Sequence, residues 1–114
     1  MALGDECGCL DPQAAYTEFE CIRDVGVDRT HGRFGDVRVD RCRSCGRLWL
    51  HYHVEYEAFS ESGRWYRGIV PPEVAETVTP ERAVEVLEAL DFNLFGGSYF
   101  RTSGRSKGNV RVDL

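Results

Sequence analysis

The sequence predicts one domain of the α+β class, with a small antiparallel β-meander and one helix packed on it near the C-terminal end. Residues 16–70 contain segments in which apolar and polar side chains alternate, as in strands with one buried face. Residues 79–91 carry apolar side chains at helical spacing. The chain of 114 residues has the usual length of a single domain, and no linker or repeat divides it. We therefore treat residues 1–114 as one domain.

Four strands are predicted, over residues 16–27, 37–41, 48–59 and 64–70. In the clearest of them, 48–59, the even-numbered positions form an apolar row of Leu48, Leu50, Tyr52, Val54, Tyr56 and Ala58. Its odd-numbered positions are polar in the centre of the strand and aromatic at both ends. Pro71 and Pro72 follow the fourth strand, and proline cannot donate a hydrogen bond to a β-ladder. We therefore expect this part of the sheet to stop there.

The helix is predicted to begin at Thr79. Thr79, Pro80 and Glu81 supply a hydroxyl N-cap, a proline for the first turn and an acidic side chain near the positive end of the helix dipole. Gly96 and Gly97 are expected to form a turn after the helix. In the last segment, 98–114, we expect short strands at 98–102 and 110–112, with a flexible turn over 104–108.

The composition is that of an ordinary soluble protein, with 42% hydrophobic and 29% charged residues. No apolar stretch approaches the ~20 residues of a membrane span, and the first residues lack the pattern of a signal peptide. These features predict a cytoplasmic protein with no membrane partner. The net charge of -5 disfavours general binding of nucleic acids.

The five cysteines lie at positions 7, 9, 21, 42 and 45. An odd number confined to one half of the chain is atypical of a secreted disulfide scaffold and favours metal ligands in a reducing compartment. Cys42 and Cys45 are close enough along the chain for both thiolates to face one tetrahedral ion, at about 2.3 Å each. Gly46 allows the turn a positive φ, and the neighbouring Arg43 and Arg47 favour thiolates over thiols.

The segment from Cys42 to Trp49 resembles the knuckle of zinc ribbons and rubredoxin-like proteins. A structural site needs two further ligands, and Cys7 and Cys9 are the candidates because they lie in a glycine-containing N-terminal loop, 1–13, that can adapt to an ion. We therefore predict a structural zinc ion with four thiolate ligands, and iron is the alternative metal because thiolates suit both. The predicted ligands are Cys7, Cys9, Cys42 and Cys45.

Three alternatives for the cysteines remain open, and the first is that all five are inert core thiols. Cys21 can replace Cys7 or Cys9 as a ligand, although it shares a strand face with Phe19, where we expect a buried thiol. Cys42 and Cys45 can instead form a redox pair, but such pairs normally open a helix in a βαβ unit. Since this pair lies between two predicted strands, we favour metal binding.

A row of polar side chains, with His51, His53 and Glu55, projects from one face of strand 48–59. Two imidazoles and a carboxylate can hold a catalytic metal, which makes a metal-dependent hydrolase one alternative function. Same-face neighbours on a strand are ~6.5–7 Å apart, however, so they share an ion only with help from another strand. A solvent-facing surface is the simplest interpretation. The same face can also be a docking surface, with Trp49, His51, His53, Glu55 and Trp65 as its binding residues.

The favoured function is a non-enzymatic zinc-binding protein that binds another protein, as adaptors, regulators and antitoxin-like neutralisers do. Nucleic-acid binding is a further alternative, with Trp49 as a stacking platform and the C-terminal basic residues as an aid. In that alternative, the phosphate contacts come from Arg38, Arg41, Arg43 and Arg47.

Overall fold

A computed structural model describes residues 7–11, 14, 16–30, 34–54, 63–90, 92–97 and 104–106. Its main feature is a six-stranded sheet in which each strand pairs antiparallel with the next one along the chain. The predicted antiparallel meander is therefore confirmed. The strands are β1 (Phe19–Asp28), β2 (Gly35–Cys42), β3 (Leu48–Val54), β4 (Arg64–Ile69), β5 (Asn93–Gly96) and β6 (Gly104–Ser106).

The first strand begins later than predicted, because Tyr16–Glu18 forms a 3-10 turn. The predicted strand 48–59 is observed as far as Val54, and its remainder lies outside the described residues. The predicted strands at 98–102 and 110–112 also lie outside them. Within the described residues, the boundaries of β2 and β4 differ from the predicted ones by no more than two residues.

The helical segment has two helices where the sequence predicts one. Helix α1 (Pro72–Thr77) follows β4 directly, and α2 (Ala83–Ala89) is preceded by a 3-10 turn, Pro80–Arg82. The proline pair ends the sheet as expected, but it also begins a helix, because proline suits the first helical turn. Thr79 precedes the 3-10 turn without a side-chain capping hydrogen bond, so the predicted hydroxyl cap is wrong. No helix in the described part of the chain has the length and apolar character of a membrane span.

Strand β5 includes Gly96, the first of the two glycines predicted to form a turn, whereas Gly97 follows the strand in a bend with a φ of 118°. Gly96 is a strand residue paired with Trp65, and a Cβ atom at Gly96 would lie 2.6 Å from the Trp65 ring. The glycine is therefore required by close packing in the sheet rather than by a turn. Gly104 likewise belongs to β6 and not to the predicted flexible turn.

The two helices pack on one face of the sheet and form the larger core with it. Leu50, Tyr52 and Val54 of β3 are buried there against Ala83 and Leu87. This arrangement confirms that the even-numbered row of β3 is the core-facing row. None of the residues in this core is a cysteine.

The other face of the sheet, which we call the second face, carries a smaller core at one end. Cys9 and Cys42 are buried there with Phe19, Trp49 and Leu94. The N-terminal segment contributes to this core through partly buried side chains, which are Cys7, Leu10 and Ala14. The chain before β1 therefore covers one end of the second face.

Candidate metal centre

The four predicted ligand sulfurs converge at the end of the second face. All four Sγ atoms, from Cys7, Cys9, Cys42 and Cys45, lie within 4.8 Å of one another. The Cys7–Cys42 and Cys9–Cys45 sulfur distances are 3.5 and 3.6 Å. A tetrahedral zinc ion with Zn–S bonds of about 2.3 Å requires sulfur separations of about 3.8 Å. The four cysteines can therefore hold a metal ion, and their geometry is compatible with zinc.

Cys42 and Cys45 are positioned by the tight turn between β2 and β3. The Gly46 backbone N–H donates to the Cys42 carbonyl at 3.0 Å, and the Cys42 N–H donates to the Arg47 carbonyl at 2.9 Å. Gly46 has a φ of 82°, a conformation that glycine adopts without the strain caused by a Cβ atom. The predicted role of Gly46 in the turn is therefore confirmed.

Cys7 and Cys9 are positioned by a 3-10 turn, Gly8–Leu10, rather than by a second knuckle. The Leu10 N–H donates to the Cys7 carbonyl and the Asp11 N–H to the Gly8 carbonyl, each at 3.1 Å. This turn directs two thiols with one intervening residue toward the same point. The resemblance to a zinc knuckle is therefore limited to the second pair of cysteines, and the zinc-ribbon fold class is not confirmed.

Cys21 lies outside this group and is exposed. It does share the second face with Phe19, as expected, since the two residues pair with Asp40 and Cys42 of β2. The prediction that its thiol is buried is wrong because the N-terminal segment covers only the Phe19 end of that face. Substitution of Cys21 for Cys7 or Cys9 in the ligand set is also excluded by this position.

The electrostatic environment differs among the four thiols. At Cys45, burial opposes ionisation, but hydrogen bonds from the backbone and guanidinium of Arg47 outweigh it and lower the pKa to about 6. The Arg47 Nη1 to Cys45 Sγ distance is 3.2 Å. At Cys9, burial and the hydrogen bonds with neighbouring thiols raise the pKa well above its ordinary value. Metal ligands must be deprotonated, so a bound metal ion would displace the protons that the buried thiols otherwise keep.

The polar row on β3 does not form a metal site among the described residues, where the cysteines are the one group with suitable geometry. The His51 ring stacks on Trp65, with centroids 6.2 Å apart and an interplanar angle of 13°. Burial, followed by the positive charges of Arg38 and Arg67, lowers the pKa of His51 well below its ordinary value. Glu55 lies outside the described residues.

Trp49 is wrongly predicted as a surface residue. It has no exposed area and makes edge-to-face contacts with Phe19 and Phe92, at centroid distances of 6.2 and 5.9 Å. It therefore belongs to the smaller core and cannot stack on a nucleic-acid base. The alternation along β3 places it on the second face, and the N-terminal segment that covers it there is remote in sequence.

The four arginines of the nucleic-acid alternative all have partners within the chain. Arg38 donates from Nε to both carboxylate oxygens of Asp40 at 3.0 Å. The other three contact a carboxylate, a backbone carbonyl and a thiol, namely Arg41 with Glu20, Arg43 with the Thr17 carbonyl and Arg47 with Cys45. A bound phosphate would have to compete with these contacts. No family model, curated protein or solved structure matches the chain.

Proposed function

We propose that the chain is a non-enzymatic zinc-binding protein whose metal site is structural and whose second face binds another protein. The convergence of Cys7, Cys9, Cys42 and Cys45 within 4.8 Å carries the first part of this proposal. Four protein thiolates complete a tetrahedral coordination sphere, so the ion would have no open position for water or substrate. Such an ion supplies stability rather than chemistry.

The position of the site indicates what the ion stabilises. Two of its ligands lie at the end of β2 and in the turn that follows it, and two belong to a segment that forms no strand among the described residues but packs on the second face. An ion bound by all four would fix the N-terminal segment over Trp49. Structural zinc in small domains binds with an apparent free energy on the order of 10 kcal/mol at neutral pH, and the stabilisation of the fold then depends on the free zinc concentration. The free thiols that it needs agree with the proposed cytoplasmic location.

The uncovered part of the second face is the proposed protein-binding surface. A groove of about 580 Å³ lies along β1 and β2, and its lining residues are Phe19, Cys21, Asp24, Asp36, Val37, Arg38 and Asp40. His51 and His53 continue the same face on β3, opposite Arg38 and Asp36. An adaptor or regulator with this surface would recognise its partner through polar contacts beside the half-buried Trp65 ring.

The metal part of the proposal is tested by the metal content of untagged protein purified without added zinc. We expect one zinc ion per chain, and loss of that ion when Cys7, Cys9, Cys42 or Cys45 is replaced by serine. Cys21→Ser is the matched control and should retain the full metal content. Iron would be recognised by its visible absorption. A well-folded chain that contains no metal would refute the proposal.

The partner-binding part is tested by co-purification from cells followed by a charge reversal in the groove. Asp36→Lys should abolish recovery of the partner, because Asp36 is exposed in the groove. Glu73→Lys makes the same charge change at an exposed position on α1 and should leave recovery intact. If both variants recover the same proteins as the unmodified chain, the groove is not the binding surface.

A further inference from the structure

Arg67 occupies an unusual position for a charged side chain. It lies on β4, is only 6% exposed, and is surrounded by three aromatic rings of the second face. Its guanidinium carbon is 4.8 Å from the ring centroids of Phe19 and Trp65 and 5.6 Å from that of Trp49. Cation–π contacts of this length are favourable, and they are strongest where water is excluded. The rings therefore hold the guanidinium in one orientation.

That orientation directs the guanidinium toward the N-terminal segment. Arg67 donates from Nη2 to the Asp11 carbonyl at 2.7 Å. Asp11 caps the 3-10 turn that contains Cys9, and its carbonyl also accepts from the Ala14 N–H at 3.0 Å. A charge-assisted hydrogen bond thus joins the middle of the sheet to the turn that carries two of the four thiols.

We propose that Arg67 is a positioning residue of the metal centre, which fixes the turn bearing Cys7 and Cys9 against the ligand pair Cys42 and Cys45. The inference rests on the proposed zinc site. The pair on the β2–β3 turn is held by the sheet, whereas the other pair lies on a three-residue turn that is anchored by its packing in the smaller core and by the Arg67 hydrogen bond. Without the anchor, zinc binding would have to order the turn, and the affinity would fall.

Charge supports the same role. A zinc ion with four thiolates has a net charge of -2, since the ion contributes +2 and the thiolates -4. Arg67 interacts electrostatically with Cys9, so its positive charge opposes that excess. Lysine would keep the charge but lose the planar group that stacks on the rings while it donates. The two contributions can therefore be separated by substitution.

The experiment compares zinc affinities, measured by competition with a chromophoric chelator, in the full chain and its variants. Arg67→Met, which keeps length and apolar packing, should weaken zinc binding by about 10- to 100-fold, as is usual for groups that orient metal ligands. Arg67→Lys should restore part of this loss. Arg82→Met is the matched control, because Arg82 is exposed beside α2, and it should change the affinity less than twofold.

A double-variant cycle distinguishes positioning from general destabilisation. In a chain with Cys7 and Cys9 replaced by serine, zinc is left with the pair Cys42 and Cys45 as protein ligands, and Arg67→Met should then have no effect on zinc affinity. Equal losses in both backgrounds would overturn the inference. Unchanged zinc affinity in Arg67→Met would also overturn the inference. If the methionine variant does not fold, unchanged zinc affinity in Arg67→Lys would overturn it instead. If the unmodified chain binds no zinc, it is the proposed function that fails.

Discussion

Removal of zinc should release the N-terminal segment and uncover Trp49, while the core beneath the helices stays folded. The proposed metal ligands Cys9 and Cys42 belong to the same small core as Trp49, and the larger core contains no cysteine. The two cores lie on opposite faces of the sheet, so loss of the ion acts directly on only one of them. A chelator is therefore expected to produce a partial rather than a global change.

The expected size of the effect follows from the burial of Trp49. A tryptophan side chain buries ~150–250 Å², and at ~25 cal/mol per Å² its full exposure would cost about 4–6 kcal/mol. Zinc at 1,000 times its Kd stabilises a folded chain by a similar amount, about 4.1 kcal/mol. For a domain near this length, 1 kcal/mol corresponds to about 4 °C in Tm. We therefore expect chelation to lower Tm by about 16 °C.

The assay combines thermal unfolding, followed by circular dichroism, with tryptophan fluorescence. The chain has two tryptophans, so Trp65→Phe leaves Trp49 as the sole reporter. Chelation should shift its emission to longer wavelength at a temperature where the sheet signal persists, and added zinc should reverse the shift. Cys21→Ser should respond identically. An unchanged Tm together with unchanged emission after verified metal removal would refute the reasoning.

Two further predictions concern single side chains. In the metal-free chain, alkylation of Cys45 should follow a midpoint near pH 6, because hydrogen bonds from Arg47, followed by those with Cys7 and Cys9, outweigh burial and lower the Cys45 pKa from 9.0 to about 6. The stabilisation from the Cys45–Arg47 pair is complete above pH 9 and is lost as the pH falls through 6. Arg47→Gln should raise the midpoint of Cys45 alkylation. An unshifted midpoint in that variant would contradict the assignment. Tyr52→Phe should lower the free energy of unfolding by about 1.5–3 kcal/mol in urea titrations, because the Tyr52 hydroxyl donates to buried Asp28 at 2.7 Å. An unchanged free energy of unfolding would contradict that assignment.

Local patterns were sufficient to predict the strands that have one face in the larger core. The alternation in β3 is visible in the sequence because its two faces have different environments along most of its length. Strand β5 has no such signal: it is four residues long and contains an asparagine and a glycine. It exists because β4 offers an edge, and because Gly96 lets the Trp65 ring approach. Pairing of this kind is decided by the neighbouring strand.

Arg67 and Trp49 show the same limit at the metal centre. In the sequence, each occupies an unremarkable position of a strand facing away from the helices. Their burial results from a segment about 40 or more residues earlier in the chain, which contacts Arg67 through Asp11 and belongs to the same small core as Trp49. A buried cation among three rings has no local pattern that could have identified it.

The sequence by itself determined one half of the candidate metal site. Two cysteines with two intervening residues and a following glycine can form a turn that presents both sulfurs to one ion, and this requires only local backbone geometry. Only the tertiary structure decided which other cysteines complete the group. Cys7 and Cys9 are included and Cys21 is not, because the path of the N-terminal segment over the sheet brings the first two to the turn between β2 and β3. That path depends on packing and hydrogen bonds between residues far apart in the chain. The spacing of the cysteines along the sequence does not predict such long-range contacts.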